Sequence, residues 1–253
     1  MRVAVVGLGL VGGSLARALT ARGHHVIGVD GAGARRRARA ARAVSATSSS
    51  AEQAAGGCDI LVLAAPPRAN LALLRQVARP CRDGLVVTDV GSVKAPIERE
   101  ARRLGLARFV GGHPIAGNEG SGFGASAAGL FEGRSWILTP SAEPSALRRV
   151  RALVRAVGAK PILMDAAAHD RALAFLSHAP QVVSWALFEA ALGDEVARRS
   201  LPLAGPGFRD MTRLARSPRS LWREILLQNR VEVARAMRAV TRALARPPGR
   251  WVR

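Results

Sequence analysis

Short apolar runs alternate with longer amphipathic stretches over the first two thirds of the chain. The strand-length runs are rich in Val, Ile and Leu and lie at residues 3–6, 25–29, 60–63 and 85–88. Helical spacing of apolar residues over 10–22 and a long Ala/Arg stretch at 32–43 predict intervening helices. Strands separated by helices predict βαβ units and hence an α/β fold with a mostly parallel, doubly wound sheet. Apolar runs at 135–138 and 161–164 predict two late strands that join this sheet.

The pattern changes near residue 165. Over 166–192 and 217–244, apolar residues recur at helical spacing and no strand-like run interrupts them. We therefore predict a domain at 1–165 and an all-helical domain at 166–253, with a frayed tail from Arg246. A helical bundle of this size with exposed apolar faces favours dimerisation, so we expect a homodimer.

A glycine motif of the form G-x-G-x-x-G connects the first predicted strand to the first predicted helix. The first glycine permits a tight turn, the second lets the backbone approach a pyrophosphate, and the third allows helix and strand to pack closely. The helix N-terminus adds free N–H groups and a positive dipole end. The motif thus predicts a Rossmann-type dinucleotide-binding domain. The predicted cofactor-binding residues are Gly7, Gly9, Leu10, Val11, Gly12, Asp30 and Pro66.

Asp30 ends the second predicted strand, 18 residues after Gly12. A carboxylate at this place accepts hydrogen bonds from the adenosine ribose hydroxyls and repels a 2′-phosphate. We therefore expect NAD rather than NADP as the cofactor. The nearby Arg35, Arg36 and Arg37 could accommodate a phosphate and keep NADP open as the alternative.

Three later segments are polar and rich in glycine. In the first, at 88–94, Ser92 is either a helix N-cap or a hydroxyl partner for a substrate. Lys94 lies in the same segment, in a chain that nearly always uses Arg, so a compact ammonium for substrate binding is indicated. In the second, at 111–122, five glycines surround His113, which we expect in a rigid loop where it can act as a base near neutral pH. In the third, at 204–212, Arg209 could hold a carboxylate.

Composition and charge narrow the class of protein. The 253 residues carry a net charge of +20, and the 38 basic residues include just two lysines, Lys94 and Lys160. Aromatic residues make up 4% of the chain and include no tyrosine, a low content for a protein that stacks aromatic side chains on nucleic-acid bases. We interpret the chain as a basic, globular enzyme and not as a nucleic-acid binder. Cys58 and Cys81 have no metal-ligand spacing, no long apolar segment is present, and no metal site is expected. A cytoplasmic location follows as an expectation.

Several motifs together resemble the prephenate/arogenate dehydrogenase family of tyrosine biosynthesis. They occur in the family's order and cover the chain from Arg2 to about Arg230. The matching stretches are GLGLVGGSLARAL, DVGSVK, GGHPIAGNEGSG, LFEGRSWILTP, HDRALAFLSHAP and GFRDMTRLARSP with LWREILLQN.

The resemblance implies an NAD(P)-dependent oxidative decarboxylation of prephenate to 4-hydroxyphenylpyruvate. By similarity, His113 takes the proton of the ring hydroxyl and Ser92 orients that hydroxyl. Arg209 holds a substrate carboxylate, and His178 is a second histidine near the substrate. Arogenate or dual-specificity cyclohexadienyl dehydrogenase activity is the alternative within the family, and an amino-substituted prephenate is a further one. A cofactor-binding regulator, or a nucleic-acid binder that uses its charge, is the alternative from another class.

Overall fold

Six parallel strands form the central sheet within the residues that the structure, a computed structural model, describes: 1–78, 84–117, 120–140 and 142–246. The strands are β1 Arg2–Val6, β2 His25–Val29, β3 Ala46–Ser48, β4 Ile60–Leu63, β5 Val86–Asp89 and β6 Phe109–Val110. Their order, β3-β2-β1-β4-β5-β6, reverses direction between β1 and β4, as in doubly wound dinucleotide-binding sheets. The predicted fold class is confirmed, and all four predicted early strands are present.

Helices cover both faces of this sheet, which explains why its strands are continuous apolar runs. The helices of this part are α1 Leu10–Ala21, α2 Ala32–Ala40, α3 Ala51–Gly56, α4 Pro67–Ala78, α5 Ala95–Arg103 and α6 Pro144–Ala156. Successive strand residues point to opposite faces. Val3 and Val5 therefore pack with Leu15 in one apolar cluster, while Ala4 and Val6 belong to the other.

A second, smaller sheet corrects one expectation. Among the described residues, its three strands are β7 Gly112–Pro114, β8 Ser135–Leu138 and β9 Lys160–Leu163. β7 is antiparallel to β8, and β8 is parallel to β9. The prediction that 135–138 and 161–164 join the main sheet is therefore wrong. Gly111 lets the chain leave the very short β6, so that β7 packs against the end of β5 and begins a separate sheet.

The chain divides into two compact units, Met1–Ala168 and a second that begins at His169. Just before the boundary, within the first unit, Asp165 caps α7 by accepting hydrogen bonds from the N–H groups of Ala167 and Ala168. The described part of the second unit has no strand, so the predicted all-helical character is confirmed. Its helices are α7 Ala166–Leu173, α8 Ala179–Gly193, α9 Glu195–Arg199, α10 Pro206–Thr212, α11 Arg219–Gln228 and α12 Arg230–Leu244.

A π-helical turn, Ala174–His178, connects α7 to α8. Pro180 lies in the first turn of α8, lacks an N–H group and would clash with the carbonyl four residues earlier in a regular helix. Widening the preceding turn relieves that conflict, and such turns are frequent at functional sites. His178 is the last residue of this turn.

The second unit buries few large apolar side chains. Its described core consists of Ala174, Ala179 and Ala236, with partly buried Val233 and Met237 packed against it. Large apolar side chains instead lie on the surface of this unit, including Leu176 at 77%, Leu203 at 83% and Leu244 at 70% exposure.

Cys58 is buried, and its thiol donates a weak hydrogen bond to the carbonyl oxygen of Ala55 at 3.8 Å. Cys81 and the tail from residue 247 lie outside the described residues. Within the described ranges, none of the helices has both the length and the apolar character that crossing a bilayer requires.

Candidate active site

The three glycines of the motif have three distinct roles in the turn from β1 to α1. Gly7 has a φ of 99°, and a Cβ there would lie 2.5 Å from the carbonyl oxygen of Ala64. A Cβ on Gly12 would overlap the Gly7 carbonyl oxygen, so this glycine allows α1 to pack on the turn. A Cβ on Gly9 would meet open space. Gly9 is also the N-cap of α1, and the N–H groups of the first turn have no intrahelical partners.

A cavity of about 590 Å³ opens beside this turn. Four of the predicted cofactor residues line it: Gly7, Gly9, Asp30 and Pro66. Leu10 and Val11 lie in the first turn of α1, and Gly12 is buried beneath it.

Sequence reasoning missed further residues that line the cavity, among them Ser49, Ser50, Glu52 and Gln76. They come from the segment after β3 and from α3 and α4. The signal that could have found them is the serine run before α3, in which Ser50 caps the helix by accepting from the Gln53 N–H.

Asp30 connects the second strand to the glycine turn. Its Oδ2 accepts a hydrogen bond from the Leu8 N–H at 2.6 Å, and its Oδ1 accepts one from the Gly31 N–H at 2.6 Å. Each carboxylate oxygen has a second lone pair for a ligand hydroxyl. Glu52 adds a second carboxyl to the cavity lining, and no Arg or Lys lines it among the described residues. This lining suits hydroxyl groups better than a phosphate monoester.

A buried ion pair holds the backbone next to His113. Lys94 is fully buried, and its ammonium donates to Asp89 Oδ2 and, at 2.7 Å, to the carbonyl oxygen of Gly112. Asp89 Oδ1 accepts from the Gly112 N–H at 3.0 Å. Both polar backbone groups of Gly112 are thus held by one ion pair. A Cβ on Gly112 would lie 2.5 Å from the Asp89 carbonyl oxygen, so a glycine is required for this approach.

This arrangement changes the interpretation of Lys94. Its compact ammonium is needed, as the sequence indicated, but its recorded partners are a carboxylate and a backbone carbonyl of the chain itself. The geometry therefore supports a positioning role beside His113, and substrate binding by Lys94 stays a prediction without structural support.

His113 is the central residue of β7, opposite Ile137, and not part of a loop as expected. A Cβ on either glycine before it, Gly111 or Gly112, would lie 2.5 Å from another protein atom, so both glycines allow close packing within the protein. Because neighbours on a strand point to opposite faces, the half-exposed His113 side chain points away from its buried neighbours Gly112 and Pro114.

Ser92 lies half-buried in the segment between β5 and α5. The N-cap residue of α5 is Lys94, so Ser92 is not the helix cap and its hydroxyl has no capping role there. Ser92 follows the carboxyl end of β5, while Gly7 follows that of β1 and Pro66 that of β4. The structure thus brings Ser92 and His113 to the same edge of the sheet as the glycine turn.

In the second unit, Arg209 is exposed in α10, a helix preceded by Gly205 and containing Gly207. His178 is buried at 1% exposure, and burial lowers the pKa of its imidazole to about 4. The negative charge of Asp170 opposes this shift, and His169 adds to it. His178 is therefore neutral near pH 7, whereas Arg209 is a cation.

Family comparisons agree with this geometry. Residues 15–163 match the family model described as "Prephenate dehydrogenase, nucleotide-binding domain", and residues 165–246 match "Prephenate dehydrogenase, dimerization domain". The chain belongs to the prephenate dehydrogenase family. The first match begins after the glycine turn, whose role therefore rests on its own geometry.

Individual members of the family are similar over most of the chain. A prephenate dehydrogenase of Lactococcus lactis is 32% identical over 237 residues, 90% of this chain and 65% of that protein. The chain thus spans slightly less than two thirds of that relative's length. The crystal structure of A. aeolicus prephenate dehydrogenase with hydroxyphenyl propionate and NAD+ superposes with a TM-score of 0.90 at 30% identity, covering 96% of this chain and 88% of the other. Synechocystis arogenate dehydrogenase gives 0.84 at 31%, covering 96% and 89%.

The buried ion pair leads to a stability prediction. Lys94→Met leaves the Asp89 carboxylate buried without its cation, and we expect a loss of roughly 3–5 kcal/mol in the free energy of unfolding. Urea unfolding followed by circular dichroism measures this loss. The double variant Asp89→Asn, Lys94→Met removes both charges and should be more stable than Lys94→Met alone. A loss below about 1 kcal/mol in the single variant would contradict the assigned role of the pair.

Proposed function

We propose that the chain is an NAD-dependent prephenate dehydrogenase, which oxidatively decarboxylates prephenate to 4-hydroxyphenylpyruvate. The observation that carries this proposal is the position of Ser92 and His113 at the sheet edge where the glycine turn opens. A hydroxyl and an imidazole beside a dinucleotide site are the groups that oxidation of a secondary alcohol requires. Membership in the prephenate dehydrogenase family supports the choice of substrate.

The residues around the glycine turn fit NAD. Open space at Gly9 gives the pyrophosphate close access to the backbone, and the first turn of α1 offers its N–H groups. The Asp30 carboxylate would accept hydrogen bonds from the ribose hydroxyls, and its charge disfavours the 2′-phosphate of NADP. The nicotinamide, when bound, supplies the hydride acceptor.

The chemistry left to the protein is proton removal and positioning. Hydride leaves the ring carbon that bears the hydroxyl, and His113 accepts the hydroxyl proton as a carbonyl forms there. The bond from the ring to its carboxylate then breaks and carbon dioxide departs. The electron pair of that bond moves through the ring to the carbonyl oxygen, which takes up a proton to become the phenol hydroxyl of the aromatic product. Ser92 orients the hydroxyl, and the Asp89–Lys94 pair fixes the backbone from which His113 projects.

We assign the recognition of the anionic substrate to the second unit. Arg209 would bind a substrate carboxylate through charge-assisted hydrogen bonds, and neutral His178 would contribute a hydrogen bond without charge. This assignment is supported by the exposure of Arg209 on α10, which begins after Gly205, and by the resemblance of both surrounding motifs to the family.

We further propose a homodimer, with residues 166–253 as its dimerisation domain. The large exposed apolar side chains of the second unit, such as Leu203 and Leu176, would gain from burial against a second copy. The match of 165–246 to a dimerization domain supports this. A cytoplasmic location is proposed with it, since the chain belongs to a family of biosynthetic enzymes.

The proposal is tested by pairing prephenate or arogenate with NAD or NADP and following absorbance at ~340 nm, where the reduced nicotinamide absorbs. We expect prephenate with NAD to be the productive pair and NAD to be preferred by at least about tenfold in kcat/KM. Asp30→Asn should reduce that preference. Turnover of arogenate alone would reassign the substrate within the family, and no reduced cofactor in any pair would overturn the proposal.

Removing the proposed base should slow turnover and spare the cofactor. For His113→Asn we expect kcat to fall by at least about a hundredfold, because general-base catalysis of the proton transfer is lost. The KM for NAD should stay within about twofold. His25→Asn, at an exposed histidine on β2, is the matched control and should resemble the wild type. Near-normal kcat in His113→Asn would refute the assignment.

Arg209→Ala should weaken substrate binding. Loss of a charge-assisted hydrogen bond predicts a rise of at least about tenfold in the KM for prephenate, with the fold intact by circular dichroism. Arg198→Ala, at an exposed arginine on α9, controls for the loss of one positive charge. If both variants shift KM equally, Arg209 acts through the general field of the protein and not through a specific contact.

A further inference from the structure

A buried asparagine connects two parts of the second unit at His178. Asn229 is 5% exposed and forms the junction between α11 and α12. Its amide nitrogen donates to the backbone carbonyl of Asp170 at 2.7 Å and lies 3.1 Å from Nδ1 of His178. One side-chain nitrogen therefore contacts both the backbone of α7 and the histidine at the end of the π turn.

The carbonyl of Asp170 decides which way the amide points. A backbone carbonyl oxygen can only accept hydrogen bonds, so a flipped amide would place two acceptors 2.7 Å apart in a buried environment. The nitrogen must face Asp170, and its second hydrogen is available for His178. Because an amide nitrogen has no lone pair to offer, Nδ1 of His178 must be the acceptor and carries no proton.

We infer that Asn229 is a positioning residue that holds His178 as the neutral tautomer with its proton on Nε2. The imidazole then presents a hydrogen-bond donor at Nε2, suited to an acceptor oxygen such as a carboxylate or a carbonyl. The role of that donor in binding substrate rests on the proposed function, whereas the tautomer itself does not.

The surroundings of the imidazole favour the same state. Trp222 meets the His178 ring edge-on, with 6.1 Å between ring centroids and 82° between planes, and shields it with an apolar surface. The Asp170 carboxylate, on the residue whose backbone carbonyl binds Asn229, accepts a hydrogen bond from His169 Nδ1 at 2.8 Å. Burial and the neighbouring His169 keep the pKa of His178 low against the opposing effect of Asp170. In the proposed substrate site, Arg209 would therefore provide a positive charge, and His178 would provide a neutral hydrogen-bond donor with a fixed direction.

Nitrogen NMR of the full chain, labelled with ¹⁵N-histidine, measures the tautomer without substrate. The chain has five histidines, and the His178→Gln spectrum assigns the signal by its disappearance. We expect a protonated Nε2 and an unprotonated Nδ1 between about pH 6 and 8. In Asn229→Asp the carboxylate can only accept, so the proton should move to Nδ1. An Nδ1–H tautomer or an imidazolium in the wild type near neutral pH would overturn the inference.

A matched pair of variants tests the donor in binding. The amide of glutamine reaches the position of Nε2, whereas that of asparagine reaches only the position of Nδ1. We expect His178→Asn to raise the KM for prephenate about tenfold to a hundredfold, as for a lost hydrogen bond to a charged group. His178→Gln should keep KM at least about fivefold lower than His178→Asn does. The KM for NAD is the internal control and should not change in either variant.

Equal KM values for prephenate in the two variants would overturn the claim that Nε2 is the binding atom. If the wild type turns over neither prephenate nor arogenate, the proposed function fails, while the NMR measurement still decides whether Asn229 sets the tautomer. The two failures are therefore distinguishable.

Discussion

A parallel sheet that is buried on both faces constrains where the first unit can place polar chemistry. Its strands are filled by apolar side chains that pack under helices on either side. Polar groups for a ligand must therefore come from the turns beyond the strand ends, and parallel strands bring all their carboxyl ends to one edge. The glycine turn after β1, the Pro66 segment after β4 and Ser92 after β5 meet there for this reason. The small second sheet adds His113 to that edge by packing β7 against β5.

The parts that could be predicted from the sequence are those encoded by local pattern. Strand β1, the glycine turn and helix α1 follow from an apolar run, three glycines and helical spacing. Strands β3, β6 and β7 have two or three residues each, and their composition carries no strand signal because pairing with a neighbour creates them. The separate sheet and the position of His113 on a strand could therefore not be predicted from the sequence.

Among the site residues too, some could be predicted from the local sequence, whereas the roles of others are revealed only by the fold. Asp30 was predicted from its distance to the glycine motif, and it lies in the cavity. Lys94 was singled out as an unusual residue type, but only the fold reveals that the nearby Asp89 and the distant Gly112 are its partners. Asn229 ends the matching stretch LWREILLQN, but no role was predicted for it, since its importance depends on Asp170 and His178, which lie 59 and 51 residues away in the chain.

The π turn between α7 and α8 sets the rotation of α7 relative to α8 about the helix axis. A residue deleted from Ala174–His178 would turn it into ordinary α-helix and rotate α7 against α8 by about 100°, one residue's share of a 3.6-residue turn. The Asp170 carbonyl would then leave the side of the helix on which His178 meets Asn229. The extra residue of the π turn sets the rotation of α7 relative to α8 at which Asn229 contacts both the Asp170 carbonyl and His178. Insertions or deletions within these five positions should therefore be tolerated far less well than substitutions.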